Sequence, residues 1–232
     1  MFVLTQNRSP RAQQILADYA KGAGNPDLQI HAIRYIGMAG TNDAQQQLAS
    51  IYSAASDASV KREILRSLMV SRGRDQIFNI AKAEKDESLR REAIRQLGVM
   101  RATDQLVQLE AGSSSDNKVE IVRSLFISGA YDKVVEIAKN EKDVRVRSEA
   151  IRSLGMSRQI GPESLTSLYA TDLDPQIKRE LINALHMRGD AKGMVEIARK
   201  ETDPAVKRQI VSELGSMRNS KDATDYMMEL LK

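Results

Sequence analysis

The sequence predicts an all-α fold, an α-solenoid of about seven stacked helix pairs. A motif reading Asp or Asn, spacers, apolar, basic, spacers, apolar pair, spacers, Leu recurs along the chain, clearest from Lys85 to Gly98 as KDESLRREAIRQLG. Aligned on its last apolar position it gives the anchors Leu4, Ile36, Leu68, Leu97, Leu125, Leu154, Leu185 and Leu214, spaced 32, 32, 29, 28, 29, 31 and 29 residues apart. A fixed period near 30 marks a repeat architecture. Composition agrees: the 232 residues are 41% apolar but only 4% aromatic, a supply suited to many small Leu, Ile, Val, Ala and Met contacts. One such unit cannot bury enough apolar surface to order itself, so it folds only by stacking on its neighbours.

Within each repeat, the stretch ending at the anchor reads as one helix. Leu89, Ala93 and Ile94 precede Leu97 by eight, four and three positions, as Val60, Ile64 and Leu65 precede Leu68, and Val146, Ala150 and Ile151 precede Leu154. At about 100° per residue these side chains share one face. The start is equally regular: Asp57, Asp86, Asp143, Asp174 and Asp203 stand eleven residues before their anchors, with Asn25 in the same place. Their side-chain oxygens suit an N-cap, and Pro26, Pro175 and Pro204 follow at the first helical position, where a missing N–H costs nothing. Four residues after each Asp cap comes a base, Lys61, Arg90, Arg147, Lys178 or Lys207, expected to reach its own Asp or that of the neighbouring repeat. The repeat with Ser114, Asn117 and Lys118 keeps only half of this pattern, and the stack is expected to be least regular there.

A turn marked by Gly40, Gly73, Gly129, Gly161 or Gly189 follows, then a second apolar-periodic stretch, as in Ile77 to Ala81, Val134 to Ala138 and Met194 to Ala198. Met69, Met100, Met156, Met187 and Met217, just after their anchors, read as adaptable filler at these turns. Leu4 is an anchor without its helix, and Ala223 to Leu231 is a second helix with no capped helix after it. The expectation is therefore a fragment of a longer chain, or ends that pack on something, including end-to-end self-association.

Asp203 to Gly215 (DPAVKRQIVSELG) and Asp143 to Gly155 (DVRVRSEAIRSLG) resemble the inner-helix signature of HEAT repeats, most closely the short subclass first recognised in phycobilisome lyases. The resemblance covers essentially the whole chain. It implies one right-handed HEAT-like solenoid domain over residues 1–232, with the capped helices lining a concave surface, acting as a protein-interaction scaffold.

Candidate binding residues lie on the other side of the capped helix. Arg34, Arg66, Arg95, Arg123 and Arg152 stand two before their anchors, about 160° away from them at helical pitch. Arg62, Arg91, Arg179 and Arg208, six before theirs, flank this row. Stacked, they would form a basic stripe able to hold carboxylates or phosphates bidentately. Glu63, Glu92, Glu120 and Glu149 lie three residues before the row's arginines, so the competing reading is a solvated face that neutralises itself. His31 and Tyr35, one turn apart beside Arg34, could anchor a partner peptide or cover one end of the stack.

Much other chemistry is excluded. With no cysteine there is no disulfide, thiolate ligand or cysteine nucleophile, and the redox compartment stays open. The two histidines lie in different repeats, carboxylates occupy cap and ion-pair positions, and there is no Gly-rich phosphate loop or metal-ligand cluster. The expectation is no enzyme, no cofactor, no metal, no membrane span and no signal peptide. Net charge is +4, a mild excess. The predicted partner is a protein or acidic peptide segment. Nucleic acid is the weaker alternative, since stacking platforms for bases need aromatics and the chain has no Trp and three Phe. A structural spacer without a ligand of its own is the third.

Overall fold

A computed structural model describes residues 10–161, 163–171, 174–217 and 219–232, so the expected anchor at Leu4 lies outside the described residues. Among the described residues every regular element is an α-helix, and the chain divides into two compact units, Met1–Gly112 and Ser113–Lys232. The division falls just before the repeat whose cap pattern is half kept.

The first unit holds α1 (Pro10–Ala20), α2 (Pro26–Ala39), α3 (Asn42–Ala54), α4 (Ala58–Val70), α5 (Arg74–Ala83), α6 (Glu87–Val99) and α7 (Thr103–Glu110). The second holds α8 (Ser115–Ser128), α9 (Tyr131–Asn140), α10 (Val144–Met156), α11 (Glu163–Thr171), α12 (Pro175–Arg188), α13 (Ala191–Lys200), α14 (Pro204–Ser216) and α15 (Lys221–Leu230). Even-numbered helices are the capped ones and odd-numbered helices their companions. In the first unit α2 packs on α4 and α4 on α6, while α3, α5 and α7 form a parallel layer. The second unit repeats this with α8, α10, α12 and α14 against α9, α11, α13 and α15. This is the two-layer, solenoid-like stacking expected of the period.

The caps form as their chemistry requires. One Asp57 oxygen accepts from the N–H groups of Ser59 and Val60, and Asp86, Asp143, Asp174 and Asp203 do the same for the residues two and three further on. Asn25 accepts from Asp27, and Pro26, Pro175 and Pro204 open their helices. The anchors Leu68, Leu97, Leu125, Leu154 and Leu185 are wholly buried.

Two features depart from expectation. The left-handed turn four residues after the anchor is taken by Gly40, Gly129 and Gly189, but by Arg72 (φ 63°) and Arg101 (φ 55°) in two repeats. Gly73 has φ −76° and is an ordinary helix start. A side chain in the left-handed region costs roughly 1 kcal/mol or more, which the surrounding stack must supply. Second, Lys61, Lys118 and Lys178 do not seek a capping Asp, whose oxygen already serves its own helix. They cross instead to a glutamate two residues before the next cap: Lys61 to Glu84 at 2.9 Å, Lys118 to Glu141 at 2.7 Å and Lys178 to Glu201 at 3.2 Å. Arg90 donates through Nε to the Glu84 carbonyl at 2.8 Å and pairs with Glu87.

Candidate functional site

The capped helices bury the face that carries their anchors and leave the opposite face open. On it the predicted arginine row is present and about half exposed. In the first unit Arg34 on α2 grips Glu63 on α4 with both ends of its guanidinium, Nε to Oε1 at 2.6 Å and Nη2 to Oε2 at 3.3 Å. Arg66 reaches the same carboxylate at 3.7 Å, and Arg95 pairs with Glu92 at 2.7 Å. In the second unit Arg123 grips Glu149 of the next capped helix at 2.8 and 3.0 Å. Arg152 bridges Glu149 and Glu180, each at 3.3 Å.

The glutamates were expected to neutralise this face along single helices. They do more, since Glu63 and Glu149 tie consecutive repeats together. They also lie beneath the arginines: the Glu63 and Glu149 side chains are 9% and 8% exposed, against 52% for Arg34 and 62% for Arg66. What faces outward is therefore guanidinium. The bidentate grip from below fixes the planar forks of Arg34 and Arg123, so less rotamer freedom remains to be lost on binding.

The flanking Arg62, Arg179 and Arg208 are exposed and Arg91 half-buried, with Arg62 near the Ser88 hydroxyl at 3.5 Å. His31 is exposed and Tyr35 half-buried on α2. The structure thus ties Arg34, Arg123 and Arg152 to glutamates of the next capped helix and pairs Arg66 and Arg95 within their own helices, while the flanking set stays more scattered.

A second row was missed by sequence reasoning. Two residues after six of the seven described anchors, Met38, Val70 and Val99 in the first unit and Ile127, Met156 and Met187 in the second are between 53% and 69% exposed, Ser216 standing in that place after Leu214. Each of the first five stands four residues, one helical turn, after a row arginine, as in Arg66 and Val70. Met156 and Met187 are thus not filler, whereas Met69, Met100 and Met217 at neighbouring positions are partly covered. The signal lay in the repeat alignment itself: a position about 160° from the anchor that stays apolar six times.

Between the companion helices, each unit builds the same cluster. Tyr52 on α3 donates its hydroxyl to Glu84 Oε2 at 2.6 Å, Lys61 of α4 lies 4.9 Å above the Tyr52 ring, and Glu84 Oε1 accepts from the backbone N–H groups of Lys85 and Asp86. In the second unit Tyr169 donates to Glu201, Lys178 lies 5.0 Å above its ring, and Thr202 and Asp203 supply the N–H groups. Burial pushes the Glu84 and Glu201 carboxyls up, but the tyrosine, backbone and lysine hydrogen bonds outweigh it and hold both down at about 2. Burial, and then the glutamate, push both tyrosine hydroxyls up. Each cluster lines a cleft, of about 600 Å³ at Tyr52 and 380 Å³ at Tyr169. Their polar atoms satisfy one another, so the clusters read as joints between repeats.

Stacking also unites residues that looked separate in the sequence. His186 on α12 meets Ser216 on α14, Nε2 to Oγ at 2.9 Å, and Glu213, Nδ1 to Oε2 at 3.4 Å. The order Ser, His, Glu is that of a nucleophilic triad, but Ser216 ends a helix, where carbonyls rather than N–H groups point outward, the wrong polarity for an oxyanion. Its hydroxyl donates to the Glu213 carbonyl at 2.7 Å. The trio ties α12 to α14. Among the described residues no three His, Asp or Glu side chains converge to hold a metal, and no helix is long and apolar enough to cross a membrane.

The fold and this face define a class, an all-α protein of stacked helical repeats with a patterned, exposed helix face. No protein-family model and no curated protein matches the chain. Among solved structures, the complex of CpcE and CpcF of phycocyanin lyase from Nostoc sp. PCC7120 is similar at 17% identity over 95% of this chain and 94% of that one, with a TM-score of 0.43. A computationally designed self-assembling cyclic homo-oligomer is similar at 15% identity over 95% of this chain and 81% of that one, with a TM-score of 0.18.

Proposed function

We propose that this chain is a non-catalytic protein-interaction scaffold, a single domain of HEAT-like repeats over residues 1–232, whose exposed capped-helix face takes an acidic or extended segment of a partner protein. The observation that carries this reading is the paired row, an outward guanidinium and, one turn on, an exposed apolar side chain, repeated from helix to helix in each unit. Protein surfaces are met by such mixtures of arginine and apolar anchors. A nucleic-acid backbone would use only the cations.

The test is Arg66→Glu combined with Arg95→Glu, followed by affinity capture. Glu63 keeps its bidentate Arg34 and Glu92 keeps Gln96, so the variant should melt within a few degrees of the parent. Arg123 is left alone because it holds the buried Glu149. Loss of the captured partners is expected. Unchanged partners would end the proposal, and duplex binding that weakens steeply with salt would favour nucleic acid instead.

A further inference from the structure

The spacing of the two rows restricts what can lie on them. On each capped helix the arginine and the apolar residue are four positions apart, about 6 Å along the axis, on one side. From α2 to α4 the step is short, because these two capped helices touch closely, and α4 packs on α6 in turn. A Cβ on Gly37 would fall 2.7 Å from the Ser67 Cβ, and Arg34 spans directly to Glu63. Close packing of this kind puts neighbouring axes about 8–10 Å apart. A chain crossing α2, α4 and α6 therefore meets a fresh arginine and a fresh apolar side chain about every 9 Å.

Three backbone forms can be compared with that step. A ligand α-helix rises about 1.5 Å per residue, so six residues cover the step and turn the contact face away by some 240°. A β-strand covers it in about three residues, an odd number, which flips alternate contacts to the far face. A polyproline II segment turns once every three residues and rises about 9 Å in doing so. It alone returns the same face to each successive repeat.

We propose, building on the interaction reading above, that the occupant of the first unit is a polyproline II segment of acidic–apolar–proline triplets, about nine residues long for the three capped helices. In each triplet the acidic side chain meets Arg34, Arg66 or Arg95, the apolar one meets Met38, Val70 or Val99, and the third faces solvent. Arg34 and Arg66 lie above the one buried Glu63 carboxylate, and Arg95 is itself half exposed, so three cations face outward over two carboxylates and the face complements an acidic ligand. In the second unit the third capped helix has Asn183 where the row has arginine, so one acidic contact is lost there.

The test is fluorescence anisotropy on the whole chain with a labelled (Glu-Leu-Pro)₃ peptide and a scramble of identical composition with its leucines adjacent. The periodic peptide is expected to bind about tenfold tighter than the scramble. Val70→Ser and Arg66→Gln, both at exposed positions, should each weaken it several-fold, and Met156→Ser less. Equal binding of scramble and periodic peptide overturns the triplet inference while leaving the interaction face intact. Failure of both peptides, with protein capture still lost in the Arg66→Glu, Arg95→Glu variant, overturns the inference alone. Failure of both peptides with capture indifferent to that variant overturns the inference and the interaction reading together.

Discussion

Glu84→Gln is expected to destabilise the first unit by about 3 kcal/mol at neutral pH, and Glu201→Gln the second by as much. The carboxylate receives the Tyr52 hydroxyl, the Lys61 ammonium and two backbone N–H groups in a setting where its side chain is only 7% exposed. An amide cannot accept all of them, and the lysine keeps its charge without a counter-ion. The pH dependence has a definite sign. Glu84 is held down from an ordinary value of 4.5 to about 2, so the folded state binds this proton less readily than the unfolded chain. Its stabilisation is complete above about pH 4.5 and fades as pH falls toward 2, amounting to about 3 kcal/mol in all. Urea denaturation of parent and variant from pH 7 down to 2 should therefore give curves that start apart and converge. A gap that stays constant with pH would show that the charge plays no part.

Gly155→Ile should cost about 3 kcal/mol through the contact of α10 with α12. A Cβ at Gly155 would meet the Ala184 Cβ at 2.8 Å and its Cα at 2.9 Å, and a backbone cannot move aside as a flexible side chain can. Gly215 occupies the same place after its anchor, yet the nearest atom to a Cβ there is the Met227 Cε at 3.9 Å. Gly215→Ala removes backbone freedom from the unfolded chain without a clash and should stabilise by about 0.5–1 kcal/mol. Opposite signs in equilibrium denaturation are the expected result. Equal signs would mean that the close approach of the capped helices is not what the glycine serves.

The caps and the helix faces were readable from the chain because each depends on residues within one helix, and the two-layer stacking because the period near 30 repeats them. Asp86 needs only Ser88 and Leu89, and Leu97 needs only Leu89, Ala93 and Ile94. What escaped depends on the neighbouring repeat. Lys61 finds Glu84 twenty-three residues on, and Tyr52 finds the same group thirty-two residues on, distances at which no periodicity names a partner. His186 shares no repeat with the other histidine, and only the stacking of α14 brings Glu213 and Ser216 against it. The apolar row was overlooked for a related reason: Met69 and Val70 differ by one position, and only the stacked neighbour decides that one is covered and the other open. Helical spacing sets the row arginines opposite their anchors, where they are exposed, but that Glu63 and Glu149 lie underneath, tying one repeat to the next, is a matter of packing.

Partners are expected to dock on the capped-helix face, and site-specific photo-crosslinking tests this. A photoreactive residue at Val70 or Met156 reports on that face, and one at Lys82 or Glu136, exposed on the companion helices α5 and α9, reports on the other. Partner adducts are expected from Val70 and Met156, with the Val70 adducts lost when Arg66→Glu and Arg95→Glu are added. Adducts from Lys82 and Glu136 alone would place docking on the companion helices instead.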